Sequence, residues 1–151
     1  MELARGRRGR VEATLGRFDI DDFDVAHDDG TVTWISYEHA FSPPYALELS
    51  LLRERVATAF DRRGATLQLI LQHRMFISRL QAFVGIGSYL ARSSDLVSGA
   101  CATQVNLLLA YGMRLELAHG CSLAVKLGRV AASSGRNDSD LVTAGFSVDV
   151  P

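Results

Sequence analysis

The sequence predicts an all-β fold, a single eight-stranded antiparallel up-and-down barrel whose wall spans a membrane. Three observations lead there. Thr103 to Leu117, TQVNLLLAYGMRLEL, alternates strictly over fifteen residues, the period of a strand and not of a helix. At roughly 3.3 Å per residue it would run about 50 Å, far beyond an ordinary globular strand and suited to a tall barrel wall. Finally, the polar rows of the alternating segments hold so many small and aromatic residues that they make poor water-facing surfaces.

Taken in order, the first strand covers Arg10 to Phe18, with Val11, Ala13 and Leu15 opposite Glu12, Thr14 and Gly16. The acidic stretch IDDFDVAHDDG follows as a loop. The second strand, from about Thr31 to Phe41, is rich in β-formers, but both faces are mixed and the pattern does not orient it. Ser42, Pro43 and Pro44 end it. The third begins at Tyr45, sets Leu47, Leu49 and Leu51 against Ala46, Glu48 and Ser50, and extends towards Phe60, where Leu52, Val56 and Phe60 also fit a helical stripe.

Asp61 to Gly64 reads as a turn. Thr66 to Phe76 then alternates, Leu67, Leu69, Leu71 and Met75 against Gln68, Gln72 and Arg74, before a tight connection at Ile77 and Ser78. Arg79 to Arg92 is the fifth strand, with Leu80, Ala82, Val84, Ile86 and Leu90 facing away from Gln81, Phe83, Gly85, Gly87 and Tyr89. The loop RSSDLVSGA leads to the long sixth strand, whose polar row holds Gln104, Asn106, Arg114 and Glu116. Cys121 to Ala131 alternates Leu123, Val125 and Leu127 with Ser122, Ala124, Lys126 and Gly128, and after SSGRNDSD the last strand runs from Leu141 to Val150. The connections then alternate, long after odd strands and two or three residues after even ones, as in transmembrane barrels.

The choice between lipid and water turns on the polar row. A soluble barrel that binds a small apolar ligand would turn its leucines inward and need a solvated exterior; Phe83, Gly85, Gly87, Tyr89, Leu108, Ala110 and Gly112 do not provide one. They suit the inside of an eight-stranded barrel, which is only wide enough to be filled by side chains. A mixed α+β fold is the other alternative. On the transmembrane reading the lumen is lined by Glu12, Glu48, Gln68, Gln72, Arg74, Gln81, Gln104, Asn106, Arg114, Glu116 and Lys126, and charges confined there must pair.

Bulk properties bound the function. A chain of 151 residues is expected to hold a barrel over residues 10–151 behind a leader or disordered stretch over residues 1–9. Sixteen basic and seventeen acidic residues give a net charge of −1, so no global field draws in nucleic acid. The basic cluster ARGRRGR lacks interleaved aromatics and reads as a solvated leader. Cys101 and Cys121 bracket the sixth strand, too far apart for a disulfide, and are expected as free thiols.

The segments RLQAFVGIGSYLARSS, NLLLAYGMRLELAHGCSLAVKLGRV and GRNDSDLVTAGFSVDV resemble the strand–turn–strand grammar of the small eight-stranded outer-membrane β-barrels of Gram-negative bacteria, the OmpA-like barrel group. The resemblance covers about the second half of the chain. It implies a bacterial outer-membrane location, a structural or interaction role, and a monomer whose partner is membrane lipid, including lipopolysaccharide. Nothing before Val11 reads as a secretory signal, so that location expects a mature form with a new Met1 or a sequence that starts late.

A weaker similarity is to PagL-like lipid A deacylase barrels, whose His-x-Ser-Asn run activates a serine for ester hydrolysis. Here Arg129, Val130, Ala131 and Ala132 stand in its place, with Ser133, Ser134 and Asp140 nearby and no histidine close in sequence. A serine without a base is a weak nucleophile. The aspartates at positions 19, 21, 22, 24, 28 and 29 lack the glycine and glutamate of a calcium loop, and His27, His39, His73 and His119 have no ligand spacing. No metal, cofactor or catalytic set is expected.

Overall fold

The computed structural model describes residues 9–21, 29–56, 59–133 and 138–151. They form eight strands and, among the described residues, no helix: β1 (Gly9–Asp21), β2 (Asp29–Ser42), β3 (Tyr45–Val56), β4 (Phe60–Arg74), β5 (Leu80–Asp95), β6 (Cys101–Ala118), β7 (Cys121–Ala131) and β8 (Asp138–Val150). Each pairs antiparallel with the next, and β1 pairs with β8 from Gly9 opposite Val150 to Asp21 opposite Asp138. The sheet is closed. An even number of strands brings the described ends of β1 and β8 to one rim, with the turns after β2, β4 and β6. The ends of β1, β3, β5 and β7 lie at the other, the loop rim.

Strict alternation sorts every strand into an inner and an outer row, and the rows are inverted relative to a soluble protein. Leu15, Leu51, Val105 and Phe146 are 67%, 65%, 58% and 59% exposed, whereas Arg114 and Lys126 are 2% and 1% exposed. Leu107, Leu109 and Met113 lie on the outer wall, the reverse of what a soluble ligand-binding barrel requires. The outer row of β6 from Val105 to Leu117 measures about 40 Å along the strand and, at a tilt of about 45°, about 28 Å along the barrel axis, close to the height of a bilayer's hydrocarbon core. Exposed aromatics gather towards the turn rim, at Tyr37, Phe41, Tyr45 and Phe76.

The strands are longer than the sequence pattern suggests, and several expected loops are absorbed into them. Asp61 to Gly64 is not a turn but the start of β4, and β3 ends at Val56 instead of running to Phe60. Gly64 is there because of crowding: a Cβ on it would stand 1.9 Å from the Leu90 carbonyl oxygen on β5. The helical stripe through Leu52, Val56 and Phe60 does not form, and Leu52 points into the barrel. Of RSSDLVSGA, Arg92 to Asp95 belong to β5 and only residues 96–100 turn, with Gly99 at φ 71°. The Asp95 carboxylate caps that turn, accepting from Val97 N at 2.8 Å and Ser98 Oγ at 2.6 Å. Asp138 to Asp140 likewise open β8.

The alternation of connection lengths is therefore weaker than expected. The turn after β4 covers residues 75–79 rather than two residues, and only three residues separate the end of β3 at Val56 from the start of β4 at Phe60. β2, which the pattern left unoriented, turns Val32, Trp34, Ser36 and Glu38 inward and Ile35 and Tyr37 outward. Cys101 and Cys121 are free; Cys101 opens β6 and Cys121 opens β7, at opposite rims of the barrel. The basic cluster before Gly9 and most of the acidic stretch, residues 22–28, lie outside the described residues.

Candidate functional site

The inner rows bring together side chains from strands far apart around the wall, and they stack in layers along the axis. Nearest the turn rim, Arg10 Nε bonds Asp149 at 2.8 Å and its Nη1 donates to Gln81 Oε1 at 2.9 Å. Gln81 donates to Gln72 at 2.5 Å, and Gln72 to Glu38 at 2.6 Å. Amides and ions from β1, β2, β4, β5 and β8 thus form one ring of contacts.

The next layer holds the buried charges. Glu12 on β1 pairs across the lumen with Arg114 on β6 at 2.7 Å and with Lys126 on β7 at 2.8 Å. Arg114 also meets Glu38 of β2 at 3.0 Å, and Lys126 meets Glu48 of β3 at 3.1 Å. Gln68 completes the set by donating to Glu48 at 3.1 Å. The Phe83 ring lies 4.2 Å from the Arg114 guanidinium, and the Trp34 ring 4.3 Å from the Lys126 ammonium, placing π-faces where cations lack water. Glu12, Glu38 and Glu48 are thereby matched by Arg114, Lys126 and, at 3.9 Å from Glu38, Arg10. Ions removed from water cost several kcal/mol each unless paired, so this balance is a condition of burying them at all.

Above the ions sits an apolar layer, in which Phe18, Val32, Trp34, Leu52, Tyr89, Leu108, Val130 and Leu141 pack together. Trp34 Nε1 donates to Ser50 Oγ at 2.9 Å, and Tyr89 OH to the Leu52 carbonyl at 3.1 Å, so neither ring buries an orphan donor. Nearer the loop rim, Arg62 of β4 donates to Glu54 of β3 at 2.7 Å and to Ser139 of β8 at 2.5 Å, and the Ser139 hydroxyl donates to Glu54. The Phe60 and Tyr89 rings lie 5.4 and 5.9 Å from the Arg62 guanidinium.

Of the residues the sequence assigned to the lumen, Glu12, Glu48, Gln68, Asn106, Arg114 and Lys126 are buried inside, and Gln72, Gln81, Gln104 and Glu116 are half-buried on the inner row. Arg74 is a correction. It is the last residue of β4 and is exposed, because the strand opens to solvent at the rim and no wall encloses it. The sequence reading missed Arg10, Glu38, Glu54, Arg62 and Ser139. Inward parity relative to Leu51 would have found Glu54, but the helical stripe obscured it.

No catalytic pairing appears among the described residues. Ser133 is exposed at the loop rim, where its amide meets Asn106 Oδ1 at 3.2 Å, while His39, His73 and His119 stand at the turn rim. A serine and a base at opposite ends of a barrel cannot exchange a proton, so none of the described histidines can activate Ser133. Ser134 and His27 lie outside the described residues. No group of His, Cys, Asp or Glu side chains able to hold a metal occurs among the described residues.

The inverted rows and closed eight-strand register decide the architecture, and comparison with solved structures agrees. Neisserial surface protein A, from Neisseria, is 16% identical over 94% of this chain and 97% of its own, with a TM-score of 0.79. The fold is that of the small eight-stranded outer-membrane β-barrels. Within that barrel group, the N-terminal β-barrel domain of Pseudomonas aeruginosa OprF is 12% identical over 93% of this chain and 97% of its own, with a TM-score of 0.67. OprG from the same organism is 13% identical over 93% and 95%, with a TM-score of 0.61. At these identities the likeness bears on the fold alone. No protein-family model matches the chain, and no curated protein matches it in sequence.

Proposed function

We propose that this protein resides in a bacterial outer membrane as a monomeric, plugged barrel with a structural or interaction role. The observation that carries the reading is the set of ion pairs that span the lumen, β1 to β6 and β7 and β3 to β7, beneath an apolar layer centred on Trp34. Side chains tied across the axis at two levels leave no continuous aqueous path, so the wall and rims are the surfaces available for function. A closed sheet has no free edge to recruit a second copy, which supports a monomer. The lipid-facing outer row supports a membrane location, with lipid as the constant partner.

The test is extraction and conductance. The protein is expected to need detergent, to migrate differently in SDS gels before and after boiling, and to give no steady current in planar bilayers. A monomer soluble in plain buffer would remove the membrane reading, and a stable open conductance would remove the plug.

A further inference from the structure

The outer rows do not stay apolar to the loop rim. Pairing between β3, β4 and β5 sets Arg53 opposite Arg63, and Arg63 opposite Arg92, so three arginines stand side by side on adjacent strands. All three are exposed on the outer wall, and Arg55 is exposed one outward position further along β3. Like charges directly opposite one another destabilise a sheet, and three in a row require a reason. The acid of the patch, Asp61, is engaged by Arg53 in two hydrogen bonds of 2.8 and 3.1 Å. Arg55, directly opposite Asp61, and Arg63 also feel its charge without forming an ion pair with it, and among the described residues Arg92 has no acidic partner in contact, so one carboxylate stands among four arginines. Arg129 on β7, by contrast, is balanced, standing 3.2 Å from Asp140 and 3.8 Å from Asp138.

What lies beneath the patch gives its depth in a membrane. The adjacent register aligns Leu51, Ala65, Leu90 and Val105, an exposed apolar row on β3 to β6. Two residues along a strand separate the rows, about 7 Å. That step carries the wall from acyl chains to head groups. Guanidinium forks match phosphate oxygens in two-point hydrogen bonds, which lipid carbonyls and choline do not offer.

We propose that the loop-side outer wall of β3, β4 and β5 binds a lipid whose head group carries more than one phosphate, with its acyl chains lying along Leu51, Leu90 and Val105. The arginine row spans two strand spacings, about 10 Å, more than one phosphate needs to cover. The proposal rests on the membrane reading above and adds to it the partner's head group and the wall that meets it.

The test uses the full chain folded in neutral maltoside micelles. Native mass spectrometry counts the lipids retained during titration with a bis-phosphorylated glycolipid, the same glycolipid stripped of phosphate, and phosphatidylglycerol. The bis-phosphorylated lipid should be held preferentially. Replacing two of the arginines, in Arg63→Gln/Arg92→Gln, should weaken its retention about thirtyfold, since each basic residue near an anionic surface contributes about one kcal/mol. Arg129→Gln, in the charge-balanced region, should leave it unchanged. Arg53 is kept so that Asp61 retains its partner. Without anionic lipid the double variant should unfold at the same urea concentration as the parent or a higher one, because like-charge contacts are relieved. If it does not fold, Arg63→Gln alone serves.

Equal retention of either comparison lipid, unchanged retention by the variant, or full displacement by millimolar inorganic phosphate overturns the proposal. Failure of the parent to show heat-modifiable migration in any micelle would instead sink the membrane reading itself.

Discussion

Lys126 is the side chain on which the plug can be tested most severely. Its ammonium, 1% exposed, lies 2.8 Å from Glu12 and 3.1 Å from Glu48. Lys126→Met keeps the length of the side chain and removes the charge, leaving Glu48 with only Gln68 as a donor and Glu12 with only Arg114. Breaking one partner out of a buried ion pair costs about 3–5 kcal/mol, or roughly two to three and a half powers of ten in the folded-to-unfolded ratio. Urea unfolding in vesicles, followed by heat-modifiable migration, reads that change. Because the pair is out of reach of salt, the loss should persist at 0.5 M salt. Adding Glu48→Gln should recover part of it, with a coupling of about 1 kcal/mol or more. A Lys126→Met protein within about 1 kcal/mol of the parent would refute the reasoning, since an ammonium so cheaply removed cannot be holding two buried carboxylates.

Three further outcomes follow from the geometry. Gly64→Ala should destabilise the barrel by about 1–3 kcal/mol or prevent folding, because its Cβ would meet the Leu90 carbonyl oxygen at 1.9 Å; normal stability in the same urea assay would return residues 61–64 to a turn. Tyr111→Arg, midway along the outer row of β6, should cost about 2–4 kcal/mol in a bilayer, whereas Leu117→Arg, at its end, should cost about 0–1 kcal/mol. Equal costs would place the membrane elsewhere on the wall. A membrane-impermeant maleimide should modify Cys101 in a Cys121→Ser variant from the loop side of oriented vesicles and spare it from the turn side; the reverse pattern would invert the topology.

The legible parts of the fold were those where one physical rule acts alone. On β5, β6 and β7 the outer row needs only bulk and greasiness and the inner row only small size or charge, so Val84 to Leu90 and Leu107 to Leu117 announce their faces directly. β2 did not, because Val32 and Trp34 are apolar for a different purpose, filling the interior above the ions, and so both of its faces look alike. Gly64 misled for a related reason: a glycine that admits a neighbouring backbone looks the same in sequence as one that bends a turn, and reading it as a turn hid Arg62. The assignment of Glu12, Glu48, Arg114 and Lys126 to the inner row needed only parity. Their partners in three dimensions did not follow, since which carboxylate meets which cation depends on the stagger of strands around the closed sheet. Arg74 failed at the other extreme, where alternation was carried to the point at which the wall ends.

The seam between β1 and β8 has a consequence for how the molecule is made. Gly9 is matched with Val150 and Ala13 with Phe146, so the earliest wall segment to leave the ribosome waits for the last before its own backbone donors are satisfied. Deleting the final strand would strip hydrogen-bond partners from two others at once, in hydrocarbon that offers none in exchange. Assembly is therefore completed as a unit at that join, and the cross-lumen ions, contributed by both halves of the chain, can find one another only as the cylinder shuts.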